Sequence, residues 1–378
     1  MEQAEQMIAR YQRYLTMDPN NRELLFAYGD ALHANGQFAE AKTTFEKLVA
    51  RDPHDTVARS RLASVLISCH DFAGAQDILA ALVSSGDPAA KFNLGLALFY
   101  SKKFADAEAV FIDLIDEPLV ADEARYYLVS CLHNLDRNEE AIARAQQFLS
   151  QRHSSKLGGY LALVQFDTFA IDDAVEQAEM VLREQPDNVD AAAVLGTYCI
   201  ERQDMESAER HLRLVTEREP DNIRGWQGRG LIALYRQEYE AAAEYLQTSI
   251  SYAPSDVGNY NTLGWIYIIM RRFEEAEKTF RKGLSIDRNI AEAHGGLAAA
   301  LAHQQKIDEA RREIDLATGL DPKGFGAQVA RTIVLSLQGQ GRLAEDTFAK
   351  ILQAPLRDSN QTLMQCLTDY WKKSKKKK

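Results

Sequence analysis

Ten alanines recur along this chain at nearly constant pitch, and that pitch limits the fold more than any other feature. Ala41, Ala75, Ala107, Ala141, Ala174, Ala208, Ala242, Ala276, Ala310 and Ala344 are separated by 34, 32, 34 and 33 residues, then by 34 five times. Twelve residues before each stands a second, mostly small position: Gly29, Ala63, Gly95, Val129, Ala162, Gly196, Gly230, Gly264, Ala298 and Thr332. Four residues after each comes an apolar site, including Phe45, Phe111, Phe280 and Phe348. A fixed period of this length marks an array of similar units, each too small to bury a core alone.

Between these markers the apolar residues keep helical spacing. Leu25, Tyr28, Gly29 and Leu32 fall on one face, and Ala41, Phe45 and Leu48 on the face of the next segment. Each unit therefore reads as two amphipathic helices joined by a tight turn such as HANGQF or YSKKF. Small residues let two helices approach closely, so a bulky replacement of Gly264 or Ala276 should cost roughly 1–3 kcal/mol by overpacking. The nine prolines, Pro19, Pro53, Pro88, Pro118, Pro186, Pro220, Pro254, Pro322 and Pro355, all fall at junctions between units. Each is expected to stop the second helix of one unit, with a following Asp or Asn capping the next helix, as in EQPDNVD and REPDNIR.

The chain resembles the tetratricopeptide repeat (TPR) family. Tyr260, Leu263, Gly264, Tyr267, Ala276 and Phe280 follow its spacing of aromatic-x2-Leu-Gly-x2-Tyr and Ala-x3-Phe, and Trp226, Gly230, Ala242 and Pro254 supply a second copy in which Arg229 replaces the usual leucine. The departures are local: Val129 at a small position, Arg288 where a proline is expected, and a second unit two residues short. The resemblance implies an all-α fold, a right-handed α-α superhelix (TPR solenoid) of antiparallel helix pairs. Residues 1–21 read as a partial leading unit, and residues 22–357 as about ten units starting near 22, 56, 88, 122, 155, 189, 223, 257, 291 and 325. A capping helix is expected over 358–372 and a disordered lysine-rich tail over 373–378. Any hinge is expected at Gly158–Tyr160 or in the short second unit.

Composition narrows the function classes. No run of eighteen apolar residues exists, so no membrane-spanning helix is expected. The N-terminus carries acids and does not read as a signal peptide, so a cytoplasmic protein is expected. Cys69, Cys131, Cys199 and Cys366 are scattered and read as buried free thiols. A net charge of −11 disfavours specific nucleic-acid binding by the body. Six positive charges sit in the last seven residues, KKSKKKK, leaving −17 on the rest. Lys372–Lys378 is the one candidate for contact with an acidic membrane, though disorder without a dedicated role also fits it.

Catalytic signatures are missing from the sequence. The eight histidines do not gather, and His294 and His303 lack zinc-site spacing, so surface or turn positions are expected for them. GRG at Gly228–Gly230 and GQG at Gly339–Gly341 lack the strand-before, helix-after context of a phosphate loop. No GxSxG motif appears. The expectation is a non-catalytic protein with no cofactor and no metal.

A stack of helix pairs offers a long concave surface lined by first helices. Carrying the family's groove positions onto this chain selects Phe92, Asn93, Phe99, Tyr100, Tyr126, Tyr127, Tyr160 and Phe166, then Arg224, Gln227, Tyr235, Asn261, Thr262 and Trp265. Aromatics anchor partners well because they bury large area at little rotamer cost. The same spacing also suits packing between units, and both readings stand at this point. The clamp that some family members use for a C-terminal carboxylate is not matched. Its positions read Gln227, Leu231, Thr262, Glu292 and Gly296 in one set, and Phe92, Leu96, Tyr127, Lys156 and Tyr160 in the other. The leading expectation is a scaffold or adaptor binding a peptide or helix of another protein. A membrane-associated assembly or secretion factor and a peptide-signal sensor are the alternatives.

Overall fold

The structure, a computed structural model, describes residues 2–83 and 86–353. It forms twenty-one α-helices and no strand among the described residues. The chain divides into two compact bodies, Met1–Val194 and Leu195–Lys378. The N-terminal body holds α1 (Glu2–Met17), α2 (Arg22–Ala34), α3 (Phe38–Arg51), α4 (Thr56–Ser68), α5 (Phe72–Val83) and α6 (Pro88–Tyr100). It continues with α7 (Phe104–Ile112), α8 (Ala121–Asn134), α9 (Asn138–Gln151), α10 (Ser155–Asp167) and α11 (Ile171–Glu184). The division falls within α12 (Val189–Glu201).

The C-terminal body holds α13 (Met205–Arg218), α14 (Ile223–Tyr235), α15 (Tyr239–Tyr252), α16 (Val257–Ile269) and α17 (Phe273–Ile286). It ends with α18 (Ala291–His303), α19 (Ile307–Leu320), α20 (Phe325–Leu337) and α21 (Gly341–Gln353). From α2 onward the helices pair as first and second members of each repeat, and this is the all-α TPR solenoid architecture.

The core is built from matched sizes. Nine of the ten periodic alanines are fully buried, and Ala344 is nearly so. Where the small position on a first helix is glycine, it makes room for the residue four beyond the periodic alanine. A Cβ on Gly29 would meet the Phe45 ring at 2.7 Å, on Gly95 the Phe111 ring at 2.6 Å, and on Gly264 the Phe280 ring at 2.5 Å. The glycine thus seats an aromatic ring rather than the backbone of the partner helix. Where the small position grows to Val129, the matching residue shrinks to Ala145, and both are fully buried. The next repeat also contributes, because a Cβ on Gly296 would meet Phe280 at 2.2 Å. Phe348, at the corresponding place in α21, is 47% exposed. No helix follows α21 among the described residues to cover it.

The junctions at Pro19, Pro53, Pro220 and Pro254 supply caps, whereas Val120 and Gly324, two residues after Pro118 and Pro322, make no side-chain capping bond, against the Asp or Asn expected there. Asn21, Asp55, Asn222 and Asp256 stand two residues after a proline and accept hydrogen bonds from Leu24, Ala58, Gly225 and Gly258 backbone N–H groups at 2.9–3.2 Å. Pro88 differs, since it occupies the first turn of α6 behind the Asp87 cap and so opens a helix rather than ending one.

At three successive junctions of the C-terminal body a side chain early in the first helix also ties back to the preceding loop. Trp226 Nε1 donates to Pro220 O at 2.7 Å, and Tyr260 Oη donates to Pro254 O at 3.1 Å. His294 holds the equivalent place one repeat later, with Nε2 3.0 Å from the Arg288 carbonyl and Nδ1 2.6 Å from Glu313 Oε2. It is buried, contrary to the surface or turn position expected of it. The reason is this tie, which survives although Arg288 replaces the proline.

Every turn between paired helices carries one residue in the left-handed region. Gly36 and Gly339 occupy it in the outermost pairs, whereas His70, Lys102, Asp136, Phe169, Gln203, Gln237, Arg271 and Gln305 sit there at φ of 60–63°. The geometry is imposed by the helix ends: the next residue's N–H returns to a carbonyl five back, as in Ala170 to Gln165 at 2.9 Å and Arg272 to Tyr267 at 2.8 Å. A bulky side chain there opposes its own backbone preference. Phe169 is also 88% exposed, so it gains little burial in return. Phe169→Gly is expected to raise the urea midpoint, by about 0.5–1 kcal/mol of stability. An unchanged or lowered midpoint would contradict this account.

Gly158–Tyr160 does not behave as a weak point within its body. A Cβ on Gly159 would meet Asn188 Oδ1 at 2.2 Å, and Asn188 is buried. Its Nδ2 donates to Ser155 O at 3.1 Å while its Oδ1 accepts from Ala191 N at 2.9 Å. Gly159 leaves room for this capping amide between α10 and α12, and Gly158 leaves room for Gln177 and Val181 of α11. The expected capping helix over 358–372, Cys366 and the lysine tail lie outside the described residues.

Candidate functional site

In the N-terminal body the residues selected for the groove converge on α6, α8 and α10, all first helices. Phe92, Phe99 and Tyr127 are half-buried, and Phe92 and Tyr127 meet the buried Phe111 ring. Phe111 stacks on Tyr127 at 5.4 Å between centroids, while Phe92 and Phe99 meet Tyr127 edge-on at 6.0 and 5.2 Å. These three therefore spend much of their surface joining one repeat to the next. Asn93 also looks inward, its Nδ2 donating to Ser64 Oγ at 3.1 Å.

Tyr100 and Tyr126 are placed differently. Tyr100 is 46% exposed, yet it is held on both sides. Its ring stacks on Phe72 at 5.8 Å, and its hydroxyl lies 3.2 Å from that of Tyr127. The half-buried Tyr126 meets Tyr160 edge-on at 5.1 Å, and the Lys156 ammonium sits 4.4 Å over its ring. Lys156 is exposed and also pairs with Glu123. A cation over an aromatic face is attracted by the ring quadrupole.

Tyr160 and Phe166 are buried and take part in packing rather than in the face. Burial pushes the Tyr160 phenol well above its ordinary range, and its hydroxyl lies 3.1 Å from His133 Nδ1. Burial likewise pushes the Cys131 thiol up to about 12, as expected of a structural cysteine rather than a nucleophile. Cys69 and Cys199 are free and partly buried.

The C-terminal group is more dispersed. Gln227 spends its Nε2 hydrogens on Asp256 Oδ2 at 2.7 Å and Asn259 Oδ1 at 3.0 Å. Thr262 donates to Gly258 O at 3.0 Å, within its own helix. Arg224 is half-buried, Tyr235 is 44% exposed, and Asn261 keeps a buried Oδ1 that meets no donor. Trp265 packs edge-on against Phe280 at 5.9 Å and lies 6.3 Å from Phe325. Below it, burial raises the Glu292 carboxyl, although Gly326 N–H at 3.0 Å and the Trp265 side chain both donate to it. Phe325, 47% exposed, was not selected from the sequence. Its place at the first position of α20 is the signal that spacing alone does not weight.

Arg229, which departs from the repeat pattern, is explained by its neighbours. Its guanidinium lies over Tyr245 at 4.4 Å and Trp226 at 5.5 Å, and donates to Tyr245 Oη at 2.9 Å and Thr216 Oγ1 at 3.1 Å. Among the described residues no group of three or more His, Cys, Asp or Glu could hold a metal ion. No described helix is long and apolar enough to cross a membrane.

Comparison with known proteins agrees with this architecture. Three family models, each described as tetratricopeptide repeat, match residues 1–56 and 32–91, residues 92–153, and residues 257–290. The chain belongs to the tetratricopeptide repeat family. No curated protein matches it. Among solved structures, one of monomeric IFIT1 with Gppp-AAAA is similar at 14% identity, covering 86% of this chain and 89% of that one, with a TM-score of 0.54. MamA is similar at 21% identity over 42% of this chain and 93% of that one, with a TM-score of 0.39. YrrB, described as a TPR protein with an unusual peptide-binding site, is similar at 14% identity over 50% and 97%, with a TM-score of 0.43. At these identities only the likeness to IFIT1 bears on this chain, and it concerns the fold alone.

Proposed function

We propose that this protein is a non-catalytic interaction scaffold, and that the first-helix face of its N-terminal body receives a peptide or helical segment of a partner protein. The observation that carries this reading is Tyr100, an aromatic nearly half exposed yet contacted by the Phe72 ring and the Tyr127 hydroxyl. A preordered amphipathic ring loses little entropy on binding and offers both apolar area and a hydroxyl. Lys156 and Tyr126 extend the same face with a cation suited to a carboxylate or carbonyl of the incoming segment. Arg224, Tyr235 and Trp265 are proposed as a secondary contact region on the first helices of the C-terminal body.

A photoreactive phenylalanine analogue placed at Tyr100, in the source cells, tests the reading. A discrete protein adduct is expected at Tyr100, reduced several-fold by Lys156→Glu. The same analogue at Tyr252, 47% exposed on a second helix, is the control. Adducts at Tyr100 no stronger or more discrete than at Tyr252 would sink the proposal.

A further inference from the structure

The second-helix face of the N-terminal body carries a polar cleft that the reading above does not use. It lies between α9 and α11, has a volume of about 280 Å³, and is lined by Gln146, Gln165, Asp173, Glu176, Gln177 and Met180. Gln165 reaches it from α10 and is only 7% exposed. Its side-chain Oε1 meets no hydrogen-bond donor. A buried amide oxygen without a donor costs about 1–3 kcal/mol, so its retention calls for an explanation.

The charge around it supplies one. Residues 104–194 contain 18 acidic and 6 basic residues, a net charge of −12 against −11 for the whole chain. Four of these acids, Asp172, Asp173, Glu176 and Glu179, stand exposed on α11 and make no ion pair among the described residues. The basic side chains nearby are turned to other acceptors. Arg144 donates to Gln147 Oε1 at 3.5 Å and Arg183 to Glu179 O at 3.2 Å.

We propose that this cleft binds the guanidinium of an arginine side chain presented by a partner protein. An orphan amide oxygen asks for an N–H donor, and Asp173 and Glu176, one turn apart on α11, ask for positive charge. A guanidinium satisfies both demands at once, because its planar fork carries five donors that can serve separate acceptors. It is also more weakly hydrated than an ammonium and so loses less on entering a cleft. Met180 at the rim offers apolar surface for the arginine stem. The cleft is independent of the Tyr100 face, so either assignment can fail alone.

Titration of the full chain with the peptide acetyl-Gly-Arg-Gly-amide, followed by amide chemical shifts, tests the site. Saturable shifts are expected for residues of α10 and α11 around Gln165 and Asp173. The citrulline peptide, equal in shape but uncharged, is expected not to bind, and the lysine peptide to bind several-fold more weakly. Glu176→Gln, an exposed change that leaves the fold intact, should weaken binding about fivefold to tenfold. Gln165→Leu should do the same while raising the thermal midpoint, because it removes the unpaired oxygen. Absence of saturable shifts would overturn the proposal, as would equal binding of the citrulline or lysine peptide. An affinity untouched by Glu176→Gln would overturn it equally.

Discussion

Gly295→Ala is expected to lower the stability of the C-terminal body by roughly 3 kcal/mol, the upper end of what overpacking usually costs. The added methyl would lie 2.4 Å from the Gly326 carbonyl carbon and 2.5 Å from Ala327 N. Those atoms are backbone of α20, so no rotamer change relieves the clash, and α18 and α20 must separate. Separation would expose a helix that is buried from Ala293 to Ala302 almost without interruption. Gly319→Ala is the control, because nothing lies within 4 Å of a Cβ there. It should be neutral or stabilising by up to about 1 kcal/mol, through helix propensity. Urea unfolding followed by circular dichroism, with hydrogen exchange over α18–α20, separates the two outcomes. Equal midpoints for the two variants would refute the close-contact account.

Phe280→Ala should cost about 3–5 kcal/mol, since a fully buried ring is removed from between two repeats. Gly264 from its own repeat and Gly296 from the next both abut that ring. The loss is therefore felt within one repeat and at its junction with the following one. Gly296→Ala, disruptive beside Phe280, should be much better tolerated once Phe280 is Leu. A double-mutant cycle is expected to show coupling of about 1–3 kcal/mol, and strict additivity would show that the glycines do not serve the ring. Leu212, which abuts both Gly196 and Gly228, is a smaller natural version of the same arrangement.

The architecture was legible because its determinants repeat. Alanines that must vanish into helix contacts recur at one pitch, and the structure buries all ten. Matching small to large, as at Val129 and Ala145, was also written in the chain, but only as two positions twelve plus four residues apart that must be compared across repeats. The burial of His294 was available by the same comparison, since it lies 34 residues beyond Tyr260 and 68 beyond Trp226.

The candidate site was legible only in part, for a geometric reason. A first helix meets both a neighbouring repeat and the open face, and side chains one residue apart point to either. Tyr126 and Tyr127 illustrate this: the first lies under Lys156, while the second is stacked on Phe111. Periodicity places both on the same broad stripe and cannot divide them. The Gln165 cleft escaped because its signal is an unmet hydrogen bond, which has no sequence pattern.

The left-handed turns bear on how far the chain stands from its own limit of stability. Eight of the ten tips carry a side chain where glycine would relax the backbone. At about 0.5 kcal/mol each, replacing all eight would add on the order of 4 kcal/mol. That reserve is large beside the marginal stability of ordinary domains. Folding strength alone therefore does not account for these tips, and glycine scanning along them would show which side chains the protein can give up and still work.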